Sequence, residues 1–292
     1  MKKVNRREFL SRSVAAGMGS GFVLSAQGSA GKAGPKKPAK DDISLAQWAL
    51  VNEIRDGKWK NSEFPRIARE DFDINGIEFV STLFELPTYP YLQRLRRDAE
   101  KYNVKMVLIM VDEEGETCEP EREARIQTAI NHRKWVDIAK FLGSHSIRTN
   151  CRGPQNAPKE QALEWAADCY KRLLDYAAPA GIGILIENHG GLSNDPDWMV
   201  SLFKKVDNPY FGSYPDWRGP SKEFDNYEYL RKMLPYAGGM SYRNQPTETE
   251  TVRLIKLCQN SGYRGWYGIE SGGREQIKLG KRILDKYLLG KG

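Results

Sequence analysis

Three acidic side chains each close an apolar, strand-like segment in the C-terminal half of the chain: Glu187, Asp216 and Glu270. If these segments end side by side, the carboxylates repel one another and need a cation among them. Carboxylate oxygens, supplemented by imidazole nitrogen, are the ligands that hard and borderline divalent cations prefer. His189 lies two residues beyond Glu187 and so points to the same face of an extended strand. These residues predict a metal site with three carboxylate ligands and His189 as a candidate fourth.

Arginine offers a different cation for the same carboxylates. Arg148, Arg218 and Arg243 also fall at or just after strand-like segments. A carboxylate cluster paired with these guanidinium groups is therefore the alternative to a bound ion, and the residue types alone leave both interpretations open. Arg148 and Asn150 occupy alternate positions of one segment, so their side chains share a face.

Eight strand-like apolar segments alternate with helical segments from residue 43 onward and have to position these side chains. The segments span residues 43–50, 76–83, 105–112, 146–152, 183–189, 210–216, 237–243 and 267–271. Between them, apolar residues recur at spacings of three and four, as they do from Leu163 to Leu174, which is typical of amphipathic helices. The alternation predicts a single (β/α)8 TIM barrel over residues 43–292. An open doubly wound sheet is disfavoured because no Gly-x-Gly-x-x-Gly motif follows the first segment.

In a barrel of this class the functional groups lie at the C-terminal ends of the strands. The sequence places many polar or aromatic side chains at the predicted ends: Gln47, Trp48, Ser81, Asp112, Glu113, Arg148, Asn150, Glu187, His189, Asp216, Ser241, Arg243 and Glu270. Contact with solvent does not by itself account for so many polar groups at these ends. We therefore expect one converging site there.

The N-terminal 42 residues are interpreted as separate from the barrel. Arg6 and Arg7 precede Phe9, Leu10 and a weakly apolar stretch of small residues, which is the pattern of a twin-arginine signal peptide over residues 1–30. The stretch is too short and too rich in Gly and Ser for a membrane span. Residues 31–42 are predicted to form a short flexible linker. The expected location is periplasmic or secreted, with no membrane attachment after export.

The basic charge of the chain resides in this N-terminal region. Residues 1–40 carry nine Lys or Arg and one Glu out of chain totals of 45 basic and 38 acidic residues, which leaves 36 basic and 37 acidic residues elsewhere. A nearly neutral domain gives no support for nucleic-acid binding and suits a small, weakly charged ligand. The four cysteines form no Cys-x-x-Cys pair, so free, mostly buried thiols are expected, with a single disulfide as the alternative.

Six segments together resemble the xylose isomerase-like (β/α)8 superfamily, the sugar phosphate isomerase and epimerase group, and within it an exported branch with twin-arginine leaders. They are residues 109–115 (IMVDEEG), 132–137 (HRKWVD), 142–150 (LGSHSIRTN), 186–191 (IENHGG), 214–217 (YPDW) and 262–270 (GYRGWYGIE). The order and spacing of the segments carry the resemblance, which covers nearly all of the chain after residue 43.

The resemblance implies one divalent metal ion, manganese above all, with cobalt, magnesium and zinc as alternatives. The family holds this ion with Glu, Asp, His and Glu after strands five, six, seven and eight. Glu187, Asp216 and Glu270 match three of these positions. Ser241 stands where the histidine is expected, and Arg243 stands where a lysine often follows. The sequence therefore departs from the family pattern at strand seven, and a nitrogen ligand would have to come from elsewhere, with His189 as the candidate.

The resemblance also implies proton transfer at a sugar. The ion polarises a carbonyl, one glutamate removes the proton from the neighbouring carbon, and the other returns it to the enediolate. Glu187 and Glu270 would be this catalytic pair. The residues expected to contact the sugar are Trp48, Arg148, Asn150, His189, Trp217, Ser241 and Arg243.

Three functions are compatible with this sequence. The first is a metal-dependent sugar isomerase or epimerase. The second is a lyase or hydrolase that acts on 3-keto-glycosides with the same carboxylates, and the third is a degenerate barrel that binds a carbohydrate without converting it. All three take a small-molecule carbohydrate as the partner. Barrels that resemble this one often pair through their outer helices, so a homo-oligomer is also compatible with the resemblance.

Overall fold

The computed structural model describes residues 40–218 and 224–291. The strands are β1 Asp42–Ala46, β2 Gly76–Val80, β3 Lys105–Met110, β4 Ser146–Asn150, β5 Gly183–Glu187, β6 Phe211–Ser213, β7 Met240–Tyr242 and β8 Trp266–Ile269. The α-helices are α1 Val51–Arg55, α2 Phe64–Arg66, α3 Tyr89–Lys101, α4 Arg122–Leu142, α5 Lys159–Ala180, α6 Pro196–Val206, α7 Asn226–Met233, α8 Glu248–Asn260 and α9 Arg274–Tyr287. No helix in these two ranges is long and apolar enough to cross a membrane.

The eight strands form one parallel sheet with the order β6-β5-β4-β3-β2-β1-β8-β7. Strands β6 and β7 face each other across the seam of the barrel, where isolated bridges join Ser213 to Ala237 and Asp216 to Ser241. Two backbone hydrogen bonds hold the second bridge: Ser241 N donates to Pro215 O at 3.0 Å, and Trp217 N donates to Ser241 O at 2.9 Å. The predicted single (β/α)8 TIM barrel is therefore confirmed.

The strands are shorter than the apolar segments predicted. After Ala46 the chain turns into a 3₁₀ helix at Gln47–Leu50, and after Val80 it forms another at Ser81–Leu83. Leu50 is still buried after the chain has left the sheet. Hydrophobic runs report burial, which continues into loops packed over the barrel, so they overestimate the length of the hydrogen-bonded strands.

The N-terminal boundary lies close to the predicted one. Strand β1 begins at Asp42, the last residue of the predicted linker, and Asp42 N donates to Gly265 O at 3.1 Å beside β8. The predicted twin-arginine signal peptide at 1–30 and residues 31–39 of the linker lie outside the described residues. Their export role stays a prediction.

Two apolar layers support the barrel, one between sheet and helices and one inside the barrel. Helix α5 contributes Ala166, Tyr170 and Leu173 to the outer layer, and Gly181 ends the helix in the left-handed conformation with φ of 78°. The inner cluster consists of Ala46, Val80, Val107, Leu108, Met110, Leu185, Tyr214 and Trp266. The four cysteines are free and buried, as predicted.

Candidate active site

A cleft of about 790 Å³ opens at the carboxyl ends of the strands. Several of the residues predicted to form the site line this cleft: Trp48, Arg148, Asn150, His189, Arg243 and Glu270. Asp112 from the end of β3 and His132 from helix α4 line it as well. Glu187, Asp216 and Ser241 lie beneath this surface and are almost completely buried.

Arg148 is the buried cation on one side of the site. Its side chain is 2% exposed, and its Nε lies 2.8 Å from Oε2 of Glu187 at the end of β5. Its Nη1 donates to Oδ1 of Asp112 at 2.7 Å, and Nδ2 of Asn150 donates to the same oxygen at 2.7 Å. Arg148 and Asn150 thus share a face of β4, as predicted, and both hold Asp112 rather than projecting freely into the cleft.

Arg243 is the cation on the other side and joins two of the predicted carboxylates. Its Nε donates to Oδ1 of Asp216 at 2.6 Å, and its Nη2 donates to Oε1 of Glu270 at 2.8 Å. Ser241 Oγ lies between the same carboxylates, 2.6 Å from Oε2 of Glu270 and 3.3 Å from Oδ1 of Asp216. Arg218 adds a looser contact, with its Nε 3.5 Å from Oδ2 of Asp216. The loops after β6, β7 and β8 are therefore tied together by charge-assisted hydrogen bonds.

Asn188 fixes the backbone that carries Asp216. Its Oδ1 accepts from Asp216 N at 2.7 Å, and its Nδ2 donates to Asp216 O at 3.1 Å. The amide is completely buried, and it replaces the sheet hydrogen bonds that end with the short strand β6. Sequence reasoning did not assign Asn188 a role, and its position between Glu187 and His189 was the only signal for one.

His189 lies at the mouth of the cleft and is held by Arg152, which the sequence analysis also missed. Arg152 Nη2 lies 2.8 Å from Nδ1 of His189, and its Nε donates to the His189 carbonyl at 3.1 Å. Since a guanidinium only donates, Nδ1 accepts and the ring proton resides on Nε2. Burial, with the positive charges of Arg148 and Arg152, lowers the pKa of His189 to about 4.

The two tryptophans predicted to contact a sugar differ in position. Trp48 is half-buried and lines the cleft, with the guanidinium of Arg55 5.4 Å from its ring centre. Trp217 is completely buried and packs in the core against Tyr242 and Tyr267, at ring-centroid distances of 5.1 and 6.1 Å. The structure therefore places Trp48 at the cleft and Trp217 in the core, because the residue after Asp216 turns away from the mouth.

The buried glutamates have raised pKa values. Burial raises the pKa of Glu187, the nearby charges of Glu270 and Asp216 add to this shift, and Arg148 opposes it. Burial likewise raises the pKa of Glu270, against the opposing charge of Arg243. A carboxyl group with a raised pKa that faces a cleft is suited to exchanging protons with a bound ligand.

The predicted metal ligands do not form a ligand set. Among residues 40–218 and 224–291, no group of three or more His, Cys, Asp or Glu side chains is arranged to hold an ion. Arg243 and Ser241 donate hydrogen bonds to the oxygens of Asp216 and Glu270 that an ion would need. His189 turns its Nδ1 to Arg152. The residues present therefore do not fit a divalent ion, although the three carboxylates do lie in one buried cluster.

The family model described as the xylose isomerase-like TIM barrel matches residues 67–235. The chain thus belongs to the xylose isomerase-like TIM barrel family. No curated protein matches the chain.

Solved structures with the same fold are distant in sequence. A D-tagatose 3-epimerase-like protein has a TM-score of 0.70 at 16% identity, covering 86% of this chain and 98% of its own. A 3-keto-D-glucoside 4-epimerase from E. coli has a TM-score of 0.64 at 11% identity, with coverages of 85% and 98%. A xylose isomerase-like TIM barrel protein from Mycobacterium smegmatis, in complex with magnesium, has a TM-score of 0.62 at 16% identity, with coverages of 85% and 95%. At such identities the likeness establishes the fold alone.

Proposed function

We propose that this protein is a sugar isomerase or epimerase that moves a proton between carbon atoms of a small carbohydrate. The observation that carries the proposal is Glu270. It is a carboxyl group with a raised pKa that lines the cleft beside the guanidinium of Arg243. The family and the sugar epimerases among the structural neighbours support the same class of reaction.

Glu270 is the proposed acid and base. The carboxylate takes the proton from the carbon next to the sugar carbonyl, and the electron pair of that C–H bond moves into an enediolate. Returning the proton to the former carbonyl carbon, while the hydroxyl proton moves from one oxygen of the enediol to the other, completes an isomerisation. An epimerisation would need a second acid on the opposite face of the original carbon. Ser241 Oγ and Arg243 Nη2 hold the two oxygens of Glu270 at 2.6 and 2.8 Å and so fix the direction of the carboxyl group.

Glu187 is proposed to act through Arg148. It was predicted as the partner of Glu270 in proton transfer, but it is 1% exposed and does not line the cleft. Its negative charge balances the buried guanidinium of Arg148, which does line the cleft. Glu187 is therefore a positioning residue for Arg148, whose guanidinium borders the cleft while it holds Asp112. With one glutamate at the surface of the cleft, a transfer between adjacent carbons on one face of the sugar is the chemistry that the arrangement favours.

Hydrogen exchange with solvent tests the proposal. The protein is incubated in D₂O with a panel of unphosphorylated aldoses and ketoses, and deuterium next to the carbonyl is followed by NMR. We expect exchange or interconversion of at least one sugar, and we expect Glu270→Gln to reduce it by about 10²–10⁴-fold, as loss of a general acid or base does. Glu100→Gln, on the surface of helix α3, is the control and should retain the wild-type rate.

A binding protein without turnover is the second candidate. The observation in its favour is that each carboxylate of the cluster already has a guanidinium group within 2.8 Å. A sugar that binds saturably with neither deuterium uptake nor conversion would support this candidate. Release of an aglycone from a 3-keto-glycoside, without isomerisation, would instead assign the site to the lyase reaction.

A further inference from the structure

The position between Asp216 and Glu270 is filled by a side chain. The guanidinium of Arg243 donates to Asp216 Oδ1 at 2.6 Å, to Glu270 Oε1 at 2.8 Å and to the Glu270 carbonyl at 3.1 Å. Arg243, which directly follows β7, thereby links the loop after β6 to the end of β8. A planar guanidinium suits this task because its N–H groups diverge in a fixed fork.

The remaining donors of the cluster reinforce this arrangement. Ser241, at the strand-seven position where the family resemblance predicts a histidine, contributes a hydroxyl that donates to Glu270 at 2.6 Å. On the far side, Arg148 lies 2.8 Å from Glu187 and 2.7 Å from Asp112. A divalent ion would have to displace the hydrogen bonds of Arg243 and Ser241 to Asp216 and Glu270 and sit among three positive charges, those of Arg148, Arg218 and Arg243.

Arg243 also has N–H groups that do not donate to Asp216 or Glu270. A guanidinium carries five N–H groups, and three of those in Arg243 point to Asp216 and Glu270. Its side chain is 34% exposed and lines the cleft, so the remaining N–H groups can reach a ligand. They are fixed by the two carboxylates before any substrate arrives, which is the condition for effective stabilisation of a developing oxyanion.

We propose that the guanidinium of Arg243 takes the place of the divalent ion in this barrel, and that the protein polarises a sugar carbonyl without a metal. The second part rests on the function proposed above, whereas the first does not. During the reaction the C–H proton passes to Glu270 and its electron pair moves onto the carbonyl oxygen, which Arg243 holds by hydrogen bonds. When the proton goes to the former carbonyl carbon, the proton of the neighbouring hydroxyl moves to this oxygen and the electron pair of that O–H bond forms the new carbonyl, so no oxidant or reductant is needed.

Metal binding by the full-length protein is the direct test. The protein is purified, treated with EDTA, dialysed and titrated with Mn²⁺, Co²⁺ and Zn²⁺ by calorimetry, with the Co²⁺ visible spectrum as an independent readout. We expect no saturable site in the wild type and no change in melting temperature on adding metal. Ser241→His combined with Arg243→Ala supplies an imidazole and removes the guanidinium, and we expect this variant to bind about one equivalent of metal.

The outcome that overturns the proposal is one equivalent of metal bound to the wild type at the carboxylate cluster, weakened at least about tenfold by Glu270→Gln. Should the double variant fail to fold, the wild-type titration still decides, with Ser241→His alone as the second comparison. If the single variant and the wild type both bind metal equally, the assignment of Arg243 is wrong.

Activity assays distinguish a failure of this proposal from a failure of the proposed function on which it rests. We expect turnover to persist in EDTA, to fall about 10²–10³-fold in Arg243→Gln, and to recover partly in Arg243→Lys, which restores the positive charge. Turnover that requires added metal refutes the role of Arg243 and leaves the isomerase intact. An absence of turnover with any sugar removes the proposed function, while the titration still reports whether Arg243 occupies the place of the ion.

Discussion

Glu78 provides a quantitative test of the electrostatics inside the barrel. Its side chain lies on β2 within the barrel and is completely buried. Ser44 Oγ lies 2.7 Å from Oε1 of Glu78, and the hydroxyl of Tyr214 contacts Oε2. Gly268 leaves the space for the carboxyl group, since a Cβ there would lie 2.5 Å from Oε2. In the described ranges no arginine or lysine lies within ion-pair distance of Glu78, so the hydrogen bonds from Ser44 and Tyr214 are the contacts that offset its desolvation.

The magnitude follows from the shift of its pKa. Burial raises the pKa of Glu78 from 4.5 to about 7, against the opposing hydrogen bonds of Tyr214 and Ser44. The folded protein therefore holds this proton more tightly than the unfolded chain. The corresponding stability is fully present below about pH 4.5 and is lost as the pH rises to about 7, which amounts to about 3 kcal/mol at 1.36 kcal/mol per pKa unit.

The assay compares Glu78→Gln with the wild type by denaturant unfolding at a series of pH values. The amide has the shape of the carboxyl group but does not ionise. The free energy of unfolding of Glu78→Gln should therefore rise relative to that of the wild type by about 3 kcal/mol between acidic and mildly alkaline pH. Other titrating groups are common to both proteins and largely cancel in the difference. Glu100→Gln, at an exposed position of helix α3, is the control for replacing a glutamate by glutamine at the surface.

A difference between Glu78→Gln and the wild type that stays constant across this range would refute the reasoning. It would mean that Glu78 titrates with the same pKa in the folded protein as in the unfolded chain. A difference of the opposite sign would mean that the carboxylate is stabilised in the folded protein, and that a cation or additional donors reach it.

Two further predictions concern Asn188, which fixes the backbone of Asp216, and Trp48, which lines the cleft. Asn188→Ala removes both hydrogen bonds to the backbone of Asp216 and leaves two buried polar groups unpaired, so we expect a loss of about 2–4 kcal/mol in the free energy of unfolding, measured by urea denaturation. An unchanged unfolding midpoint would show that another group fixes that loop. Trp48→Ala should raise KM for the sugar about tenfold with little change in kcat, because it removes a wall of the cleft, whereas Trp217→Phe should lower only the melting temperature. Equal effects of the two substitutions on KM would contradict this assignment.

The fold was predictable because its signals are local. Apolar segments alternate with amphipathic helices such as α5, and this pattern alone indicates a barrel. The bounds of the strands were less predictable, since buried residues such as Leu50 extend the apolar pattern beyond the sheet. The position of Glu270 at a strand end could also be predicted, because the C-terminal ends of the strands in such a barrel surround one cleft.

The roles within the cluster could not be predicted in this way. Sequence reasoning left a divalent ion and arginine pairing open, and the choice depends on where Arg243 directs its guanidinium. That direction is set by Asp216 and Glu270, which lie 27 residues away on either side of it along the chain. Nothing in the local pattern of any one strand specifies such a contact.

The sequence by itself determined the alternation of elements, the supply of carboxylates and arginines at the strand ends, and the absence of a strand-seven histidine. Only the tertiary structure decided which carboxylate faces the cleft, that Trp217 belongs to the core, and that Glu78 is enclosed by Ser44 and Tyr214, which lie 34 and 136 residues away in the chain. The physical reason is that periodicity records which residues avoid water, whereas depth of burial and the pairing of charges depend on neighbours that only the closed barrel brings together.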